Sequence, residues 1–211
     1  MSRTFDCGDP VQRAEGIDAA VGAVGRGELV VLPTDTVYGI GADAFTPGAV
    51  ADLLAAKGRG RDLPVPVLIG SPRTLEGIAD VDERTREVVR AFWPGPLTIV
   101  CRAQGSLAWD LGETRGTVAV RMPLHPVAID LLTQTGPMAV SSANKSGEPP
   151  ATTAQEALDQ LGELVEVYLD GGACAEPVPS TIVDVTGEHP VVLREGALPL
   201  DRLRDVVPDQ S

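Results

Sequence analysis

Short apolar runs alternate with helical segments along almost the whole chain. Residues 10–25 predict a helix, with Asp9 as its N-cap and Pro10 at its first position, where proline is favoured. Residues 28–33 are apolar and predict a strand that runs into a loop. The pattern further predicts helices over 46–56, 82–92, 126–133, 152–162 and 200–206, and strands over 65–69, 97–101, 117–121, 138–141, 165–169, 180–185 and 191–194.

This alternation of strands and helices is typical of an α/β protein. Pro66 has no backbone N–H, so we expect the strand over 65–69 to lie at a sheet edge or a bulge. No internal repeat, low-complexity stretch or long linker divides the 211 residues. We therefore predict a single α/β domain over residues 1–211, with a core over about 10–200 and a short polar C-terminal tail. At least six strands should form one mixed, twisted sheet with flanking helices.

The composition argues against some classes of partner. The chain has 17 Lys and Arg residues and 30 Asp and Glu residues, and this net charge of −13 argues against a broad contact with a nucleic-acid backbone. The acidity is concentrated in residues 154–211, which hold twelve acids and three arginines. No apolar run approaches the ~18 residues of a membrane span. The N-terminus lacks the apolar core of a signal peptide, so we expect a cytoplasmic protein with no membrane partner.

Cysteines and histidines indicate neither a disulfide nor a metal site. Cys7, Cys101 and Cys174 show no C-x-x-C spacing, and an odd, scattered set is typical of reduced, mostly buried thiols. His125 and His189 are each followed by proline and have no partner at ligand spacing. We therefore expect no histidine-based metal site.

The first candidate for chemistry is the stretch 33–44, at the end of a predicted strand. Two threonines flank a carboxylate at 34–36, and Gly39 and Gly41 follow. Loops at strand ends bind ligands in many α/β proteins, but the same side chains could simply satisfy a turn. The glycines also match the G-x-G-x-x-A dinucleotide pattern. That match is weak, because the next predicted helix begins too late to direct its N-terminus at a pyrophosphate.

The second candidate is a group of three cations at the end of a predicted helix: Lys57, Arg59 and Arg61. Cations favour helix C-termini and glycine ends helices, so a purely structural role is the simplest interpretation. The functional alternative is a mobile cationic loop that holds phosphates. The chain contains no G-x-x-x-x-G-K-[ST] motif, which excludes a P-loop.

A third segment, 136–147, runs from a short apolar strand into serines and an asparagine. These side chains could turn the chain or donate to phosphate and carboxylate oxygens. No Ser-His-Asp set and no G-x-S-x-G motif accompany them, which argues against a hydrolase nucleophile. Arg121 and Arg194 end two further strands and Ser180 begins another. Several strand ends with hydroxyls or cations predict an anion-binding cleft.

Taken together, these segments resemble the YrdC/TsaC family, the L-threonylcarbamoyladenylate synthases, in its short form. The matching stretches, in the family's order and spacing, are LPTDTVYGIGADA (32–44), KGR (57–59), FWPGPLT (92–98), VAVRMPLHP (118–126), SSANKSG (141–147), STIVD (180–184) and VLREG (192–196). The resemblance implies a single YrdC-like α/β domain, whose twisted mixed sheet surrounds a concave basic cavity.

The resemblance also implies an activity. ATP with Mg²⁺, bicarbonate and L-threonine would give L-threonylcarbamoyl-AMP and pyrophosphate. This product feeds the threonylcarbamoylation of the adenosine next to the anticodon in ANN-decoding tRNAs, which a separate transferase complex performs. An acidic enzyme that makes a small-molecule intermediate need not bind tRNA itself, so we expect weak or no direct tRNA binding.

The resemblance assigns roles to individual residues. The family's K-x-R…S-x-N tetrad matches the expected catalytic and phosphate-binding residues Lys57, Arg59, Ser142 and Asn144. Further nucleotide contacts are expected at Thr117 and Arg194. Contacts to L-threonine are expected at Thr34, Arg121, Ser180 and the backbone of Val140. No side chain is identified as a metal ligand, and no general base is obvious.

Three positions depart from the family's pattern. Gly60 stands where many relatives have proline, which indicates a more mobile loop. Leu68 stands where many have histidine, so a threonine contact made by that histidine is missing. Glu148 stands where some have arginine, so a phosphate contact is missing or replaced.

Three alternative functions remain open at this point. A YrdC-like domain also occurs in the hydrogenase-maturation carbamoyltransferases, but those chains are much longer and carry acylphosphatase-like and zinc-finger parts. A non-enzymatic RNA-binding module would suit a basic cavity, although the net charge of −13 opposes it. A dinucleotide-dependent oxidoreductase would have to use Gly39 and Gly41.

Overall fold

Ten strands form one mixed sheet with seven α-helices around it in the computed structural model, which describes residues 2–175 and 177–206. The strands are β1 (Arg3–Asp6), β2 (Val30–Leu32), β3 (Gly39–Asp43), β4 (Val67–Leu68), β5 (Leu97–Arg102), β6 (Thr117–Arg121), β7 (Met138–Ser142), β8 (Val167–Asp170), β9 (Thr181–Asp184) and β10 (Val191–Arg194). The helices are α1 (Pro10–Gly25), α2 (Pro47–Lys57), α3 (Pro72–Ile78), α4 (Glu83–Phe92), α5 (Pro126–Thr135), α6 (Ala154–Leu161) and α7 (Leu200–Val206). The order in the sheet is β1-β8-β2-β3-β7-β4-β6-β5-β9-β10. The predicted α/β class with flanking helices is confirmed.

Helices cover both faces of the sheet, as the alternation within β2 illustrates. Val31 belongs to a large core cluster that includes side chains of α2, α4 and α6. Val30 and Leu32 belong to a second cluster, together with side chains of α1 and α5. Alternate residues of a strand point to opposite faces, so a strand covered on both faces is apolar throughout. This is why the sequence of β2 shows a continuous apolar run.

Side-chain caps set several helix boundaries where the sequence predicts them. Asp9 accepts hydrogen bonds from two N–H groups in the first turn of α1, both at 2.9 Å. Asp82 accepts the N–H of Thr85 at 2.7 Å and begins α4. The predicted cap of α2 differs, because the hydroxyl of Thr46 donates to Asp43 Oδ2 at 2.6 Å and makes no bond to the helix.

The glycine pair lies inside β3, where the sequence predicts a loop. A Cβ atom at Gly39 would lie 2.6 Å from Val140 Cγ1, and one at Gly41 would lie 2.8 Å from Met138 Cε. Glycine therefore allows β3 to pair closely with β7. The dinucleotide interpretation is wrong, because both glycines belong to a strand rather than to a phosphate-binding turn.

β4 lies within the sheet, between β7 and β6, and pairs with both without a register shift, so the expected edge or bulge is not found. Pro66 directly precedes the strand and contributes its carbonyl, which accepts the N–H of Val140 at 2.8 Å. β1 and α3 were not predicted, because four and seven residues are too few to establish a periodicity.

The remaining expectations concern cysteines, membranes and the tail. Cys7 and Cys101 are buried, Cys174 is half-buried, and all three are free thiols, as expected. Among the described residues, no helix is both long and apolar enough to cross a membrane. The predicted polar tail falls on residues 207–211, which lie outside the described residues.

Candidate functional site

The expected site residues that belong to strands point away from the large core cluster, whereas Lys57 ends α2, which packs in that cluster. In β6, Val118 and Val120 point into that cluster, so Thr117 and Arg121 point to the other face. The same alternation places Thr98 of β5 and Ser142 of β7 on this face. α1 and α5 cover the face over β2, β3 and β7. The part of the site around Arg121 therefore lies over β6, β5 and β9, beside these two helices, and the part around Lys57 lies at the end of β7.

Lys57 joins the end of α2 to the loop after β7. Its side chain is buried, with 3% of the residue exposed. Its Nζ donates hydrogen bonds to the carbonyl oxygens of Ser142 at 2.5 Å and Asn144 at 2.8 Å. In return, the Lys57 carbonyl accepts the N–H of Ser146 at 2.8 Å. These bonds bring three members of the predicted tetrad into one cluster.

Arg59, the fourth member, reaches the same strand end. Gly58 ends α2 with a φ of +62°, the left-handed conformation that favours glycine at helix C-termini. Arg59 Nη1 lies 3.4 Å from Ser141 Oγ, while its buried Nε has no hydrogen-bond partner among the described residues. Burial lowers the pKa of Arg59, and nearby Asp62 acts in the opposite direction. A buried guanidinium N–H without an acceptor is suited to an anionic oxygen.

The amide of Asn144 is used within its own loop. Its Nδ2 donates to the carbonyls of Lys145 at 2.9 Å and Glu148 at 2.8 Å, and its Oδ1 lies 3.4 Å from Lys57 Nζ. Both amide donors are therefore engaged before any ligand is considered. The exposed side chain of Glu148 takes no part, although its carbonyl does. Asn144 therefore stabilises the loop after β7. The phosphate contacts expected from the sequence depend on the conformation of this loop.

The charge of Lys57 should give the reaction a pH dependence. Burial and, to a smaller extent, the positive charge of Arg59 lower the pKa of Lys57 to about 8. For the ATP-dependent reaction that the resemblance implies, we predict that kcat/KM for ATP falls as the pH rises through about 8, since a neutral amine no longer offsets phosphate charge. The rate of pyrophosphate release from neutral to alkaline pH measures this. A flat profile across pH 8 would show that the charge of Lys57 is not needed.

The same shift affects folding with a defined sign. Folding lowers the Lys57 pKa below its ordinary value of 10.5, so the unfolded chain holds this proton more tightly. The contribution of Lys57 to the free energy of unfolding therefore rises with pH between about 8 and 10.5. Lys145, the other lysine of the chain, is exposed, and Lys145→Met should leave both pH profiles unchanged.

Arg121, at the end of β6, is the centre of a second cluster. It is 6% exposed and donates to the carbonyl of Gly95 at 3.0 Å, to Thr36 Oγ1 at 2.8 Å and to Asp35 Oδ1 at 2.5 Å. Burial lowers the pKa of Arg121, Asp35 opposes that change, and the positive charge of Arg194 lowers the pKa further. Five N–H groups are available on a guanidinium, so two remain for a ligand.

Hydrogen bonds connect the predicted residue Thr34 to this cluster. Thr34 Oγ1 donates to the carbonyl of Val37 at 2.6 Å and accepts the N–H of Thr36 at 3.1 Å. The two threonine hydroxyls also lie 3.1 Å apart. The loop that carries Asp35 is therefore held in one conformation beside Arg121.

Arg194 and Ser180 form the third part of the site. Arg194 Nη2 donates to the carbonyl of Ser180 at 2.7 Å and to its Oγ at 3.1 Å. The hydroxyls of Ser180 and Thr98 lie 2.8 Å apart. Because Arg121 is affected by the charge of Arg194, the two guanidinium groups share a local positive field that favours an anion.

The Lys57 and Arg121 clusters adjoin through β3 and β7. Gly39 pairs with Ser142 in the sheet, and the carbonyl of Tyr38 accepts the N–H of Ala143 at 2.8 Å. The loop that contacts Arg121 therefore leads directly into the strand beside Ser142. One site with two adjoining positive regions can hold two anionic groups close together.

Two predicted residues contribute differently from the expectation. The hydroxyl of Thr117 donates to the carbonyl of Thr114 at 2.8 Å, and no hydrogen bond within the described residues links it to the other site residues. The N–H of Val140 is bonded to Pro66, which has no N–H to return the bond. The Val140 carbonyl therefore receives no hydrogen bond from β4. This carbonyl, rather than the N–H, is the backbone group of Val140 that a ligand could contact.

Other features lie apart from this site. A groove of about 480 Å³ between α1 and α5 contains none of the predicted site residues; it is lined by Pro10, Arg13, Ala14, Ile17, Asp18, Asp130, Thr133 and Gln134. Leu68, at the family's histidine position, is buried with the apolar cluster of α1 and α5. No group of three or more His, Cys, Asp or Glu side chains in residues 2–175 and 177–206 could hold a metal ion.

The sequence missed two residues of the Arg121 cluster. Asp35 and Thr36 both bond Arg121, yet Thr34 alone was assigned a role, although the sequence marked all three residues as a candidate. A carboxylate between two threonines at the end of a buried strand was the available signal. Its partner is 86 residues away, so the pairing could not be inferred from the local sequence.

Comparison with known proteins supports the resemblance. A family model for the Sua5/YciO/YrdC domain, described as "Telomere recombination", matches residues 23–196. A Mycobacterium tuberculosis protein provisionally named threonylcarbamoyl-AMP synthase is 58% identical over 208 residues, 98% of this chain and 96% of the relative. The threonylcarbamoyl-AMP synthase of Vibrio cholerae is 36% identical over 187 residues, 86% of this chain and 98% of the relative.

The fold comparison agrees. The crystal structure of Pyrococcus abyssi Sua5 complexed with L-threonine superposes with a TM-score of 0.92 at 36% identity. The superposition covers 99% of this chain and 61% of that one, so this chain spans about three fifths of the archaeal protein. All seven motifs quoted from the sequence fall within the residues that the family model matches. The chain therefore belongs to the Sua5/YciO/YrdC family.

Proposed function

We propose that this protein is a threonylcarbamoyl-AMP synthase, which converts L-threonine, bicarbonate and ATP into L-threonylcarbamoyl-AMP and pyrophosphate. The observation that carries the proposal is the pair of positive clusters around Arg59 and Arg121, which adjoin through the paired strands β3 and β7. Relatives of similar length bear the name of this activity. The Sua5 structure with L-threonine supports an amino-acid site in this fold.

Two bond-forming steps account for the products. The nitrogen of L-threonine bonds to the carbon of bicarbonate and water leaves, which gives a carbamate. A carbamate oxygen then attacks the α-phosphorus of ATP, the bond from that phosphorus to the bridging oxygen breaks, and pyrophosphate leaves. Both reactants are anions in the second step, so the clusters must offset their repulsion and hold them in line.

The residues divide this work by their chemistry. Arg59 suits the phosphates, because its buried Nε lacks an acceptor. The ammonium of Lys57 directs its N–H groups at Ser142 and Asn144, so it would act on the phosphates through its positive charge. Arg121 suits the carboxylate of L-threonine as a bidentate partner. ATP would arrive as its magnesium complex, in which the ion would offset part of the phosphate charge.

The product would serve tRNA modification in a second enzyme. We propose that L-threonylcarbamoyl-AMP passes to a separate transferase complex, which modifies the adenosine next to the anticodon. The net charge of −13 supports this division of labour, since this chain lacks the overall positive charge that nucleic-acid binding favours.

Pyrophosphate release from ATP and Mg²⁺ by the pure protein tests the proposed function. We expect release only when both L-threonine and bicarbonate are present. L-serine should react less well, because a missing methyl group costs about 10- to 200-fold in a fitted pocket. No release from folded protein under any combination would reject the synthase and leave a binding role or another carbamoyl chemistry.

A further inference from the structure

Asp35 has a buried carboxylate oxygen to which the reaction described above assigns no role. Its Oδ1 accepts hydrogen bonds from Arg121 Nη2 at 2.5 Å and from the N–H of Leu124 at 2.9 Å. Its Oδ2 is buried and has no hydrogen-bond partner among the described residues. An unbonded, buried oxygen of a charged group is costly and calls for an explanation.

The charge of the carboxylate defines the kind of ligand that would satisfy it. A carboxylate oxygen only accepts hydrogen bonds, and its strongest partners are cationic donors. Asp35 and Arg121 place a negative group and a positive group side by side. An α-amino acid carries an ammonium and a carboxylate on one carbon. Its ammonium can therefore face Asp35 while its carboxylate faces Arg121.

No neighbouring side chain takes the place of such a ligand. His125 Nδ1 is also buried and without a partner in the described part of the chain, but no hydrogen bond joins it to Asp35. Burial lowers the pKa of His125, Asp35 acts in the opposite direction, and Arg13 lowers it further. A neutral imidazole would leave the charge of Asp35 balanced by Arg121 alone.

We propose that Asp35 Oδ2 accepts a hydrogen bond from the α-ammonium of L-threonine while Arg121 holds its carboxylate. This inference rests on the proposed function and deepens it, because it makes the site specific for amino acids among carboxylates. During carbamate formation the nitrogen loses two hydrogens, one as a proton to solvent and one in the water that leaves with the bicarbonate hydroxyl. The carbamate keeps one N–H, which Asp35 can still accept.

The variant Asp35→Asn tests the inference, since it keeps Oδ1 for Arg121 and Leu124 and replaces the charged oxygen by an amide. Calorimetry without ATP would compare L-threonine with its α-hydroxy analogue, in which a hydroxyl replaces the ammonium. We expect L-threonine to bind about 10- to 100-fold more weakly to the variant, with much less change for the analogue. Asp130→Asn, at an exposed carboxylate paired with Arg13, should change neither affinity.

Two results would overturn the inference. Equal weakening of both ligands would mean that Asp35 acts only through Arg121, and unchanged binding would mean that it has no role in recognition. If the variant does not fold, the wild-type protein still decides, because its affinity for L-threonine should fall as the amino group of the ligand loses its proton, while that for the analogue should not. Threonine-dependent pyrophosphate release by the wild type tests the proposed function separately.

Discussion

Replacing Arg59 by alanine should lower kcat/KM for ATP by about 10²- to 10³-fold, the usual cost of removing one preorganised donor to developing charge. Its Nε is buried without an acceptor and its bond to Ser141 Oγ is long, at 3.4 Å, so the folded protein depends little on this side chain. We therefore expect an unchanged Tm. Pyrophosphate release under saturating L-threonine and bicarbonate, with a thermal melt of the same sample, measures both quantities.

Arg61 provides a matched control two residues further along. It is exposed and pairs with Asp110 at 2.6 Å, and exposed ion pairs of this kind contribute little to stability. Arg61→Ala should retain activity close to that of the wild type. If Arg59→Ala also retained it, the phosphate role of Arg59 would be wrong.

Lys57→Ala should abolish synthesis too, but it tests phosphate binding less directly. The ammonium donates to the carbonyls of Ser142 and Asn144, so its removal leaves two buried acceptors without a donor. Lost activity would then combine a lost charge with a disturbed loop. Arg59 separates these effects because it supports almost none of the surrounding structure.

Features of the fold that depend on neighbouring residues were predicted from the sequence, and those that depend on distant residues were not. The predicted helices that begin with a side-chain cap, such as α1 at Asp9, fell at their predicted bounds within one or two residues, whereas α3, capped by Ser71, was not predicted. Strand order was beyond reach, because it depends on pairing between distant segments such as β3 and β7. The glycines of β3 led to a wrong prediction of a loop for the same reason. The side chains that leave room only for glycine belong to β7, which is distant in sequence.

The candidate site was predictable where the family's motif links residues that are distant in sequence. The resemblance grouped Lys57, Arg59, Ser142 and Asn144, and the structure places them in one cluster. It could not indicate that the Asn144 amide is bonded within its own loop, because those partners are backbone carbonyls. Every residue has a backbone carbonyl, so the residue types do not indicate which carbonyl accepts a hydrogen bond.

Arg121→Met should have the largest effect on stability among the site variants. It removes the positive partner of Asp35, and breaking a buried ion pair from one side costs about 3 to 5 kcal/mol. In a chain of 211 residues this lowers the Tm by about 6 to 20 °C. Binding of L-threonine should also weaken by about 10- to 100-fold, because a charge-assisted contact to its carboxylate is lost.

The double variant Asp35→Asn/Arg121→Met separates stability from recognition. Removing both charges should recover most of the lost Tm, since no uncompensated charge stays buried, whereas L-threonine binding should stay weak. Arg13→Met at the exposed pair with Asp130 is the matched control and should change the free energy of unfolding by about 1 kcal/mol at most. If the double variant regained L-threonine affinity together with stability, Arg121 would only support the fold. If it regained neither, the buried pair would not be the source of the instability, and the three hydrogen bonds that Arg121 makes to Gly95, Thr36 and Asp35 would have to explain it.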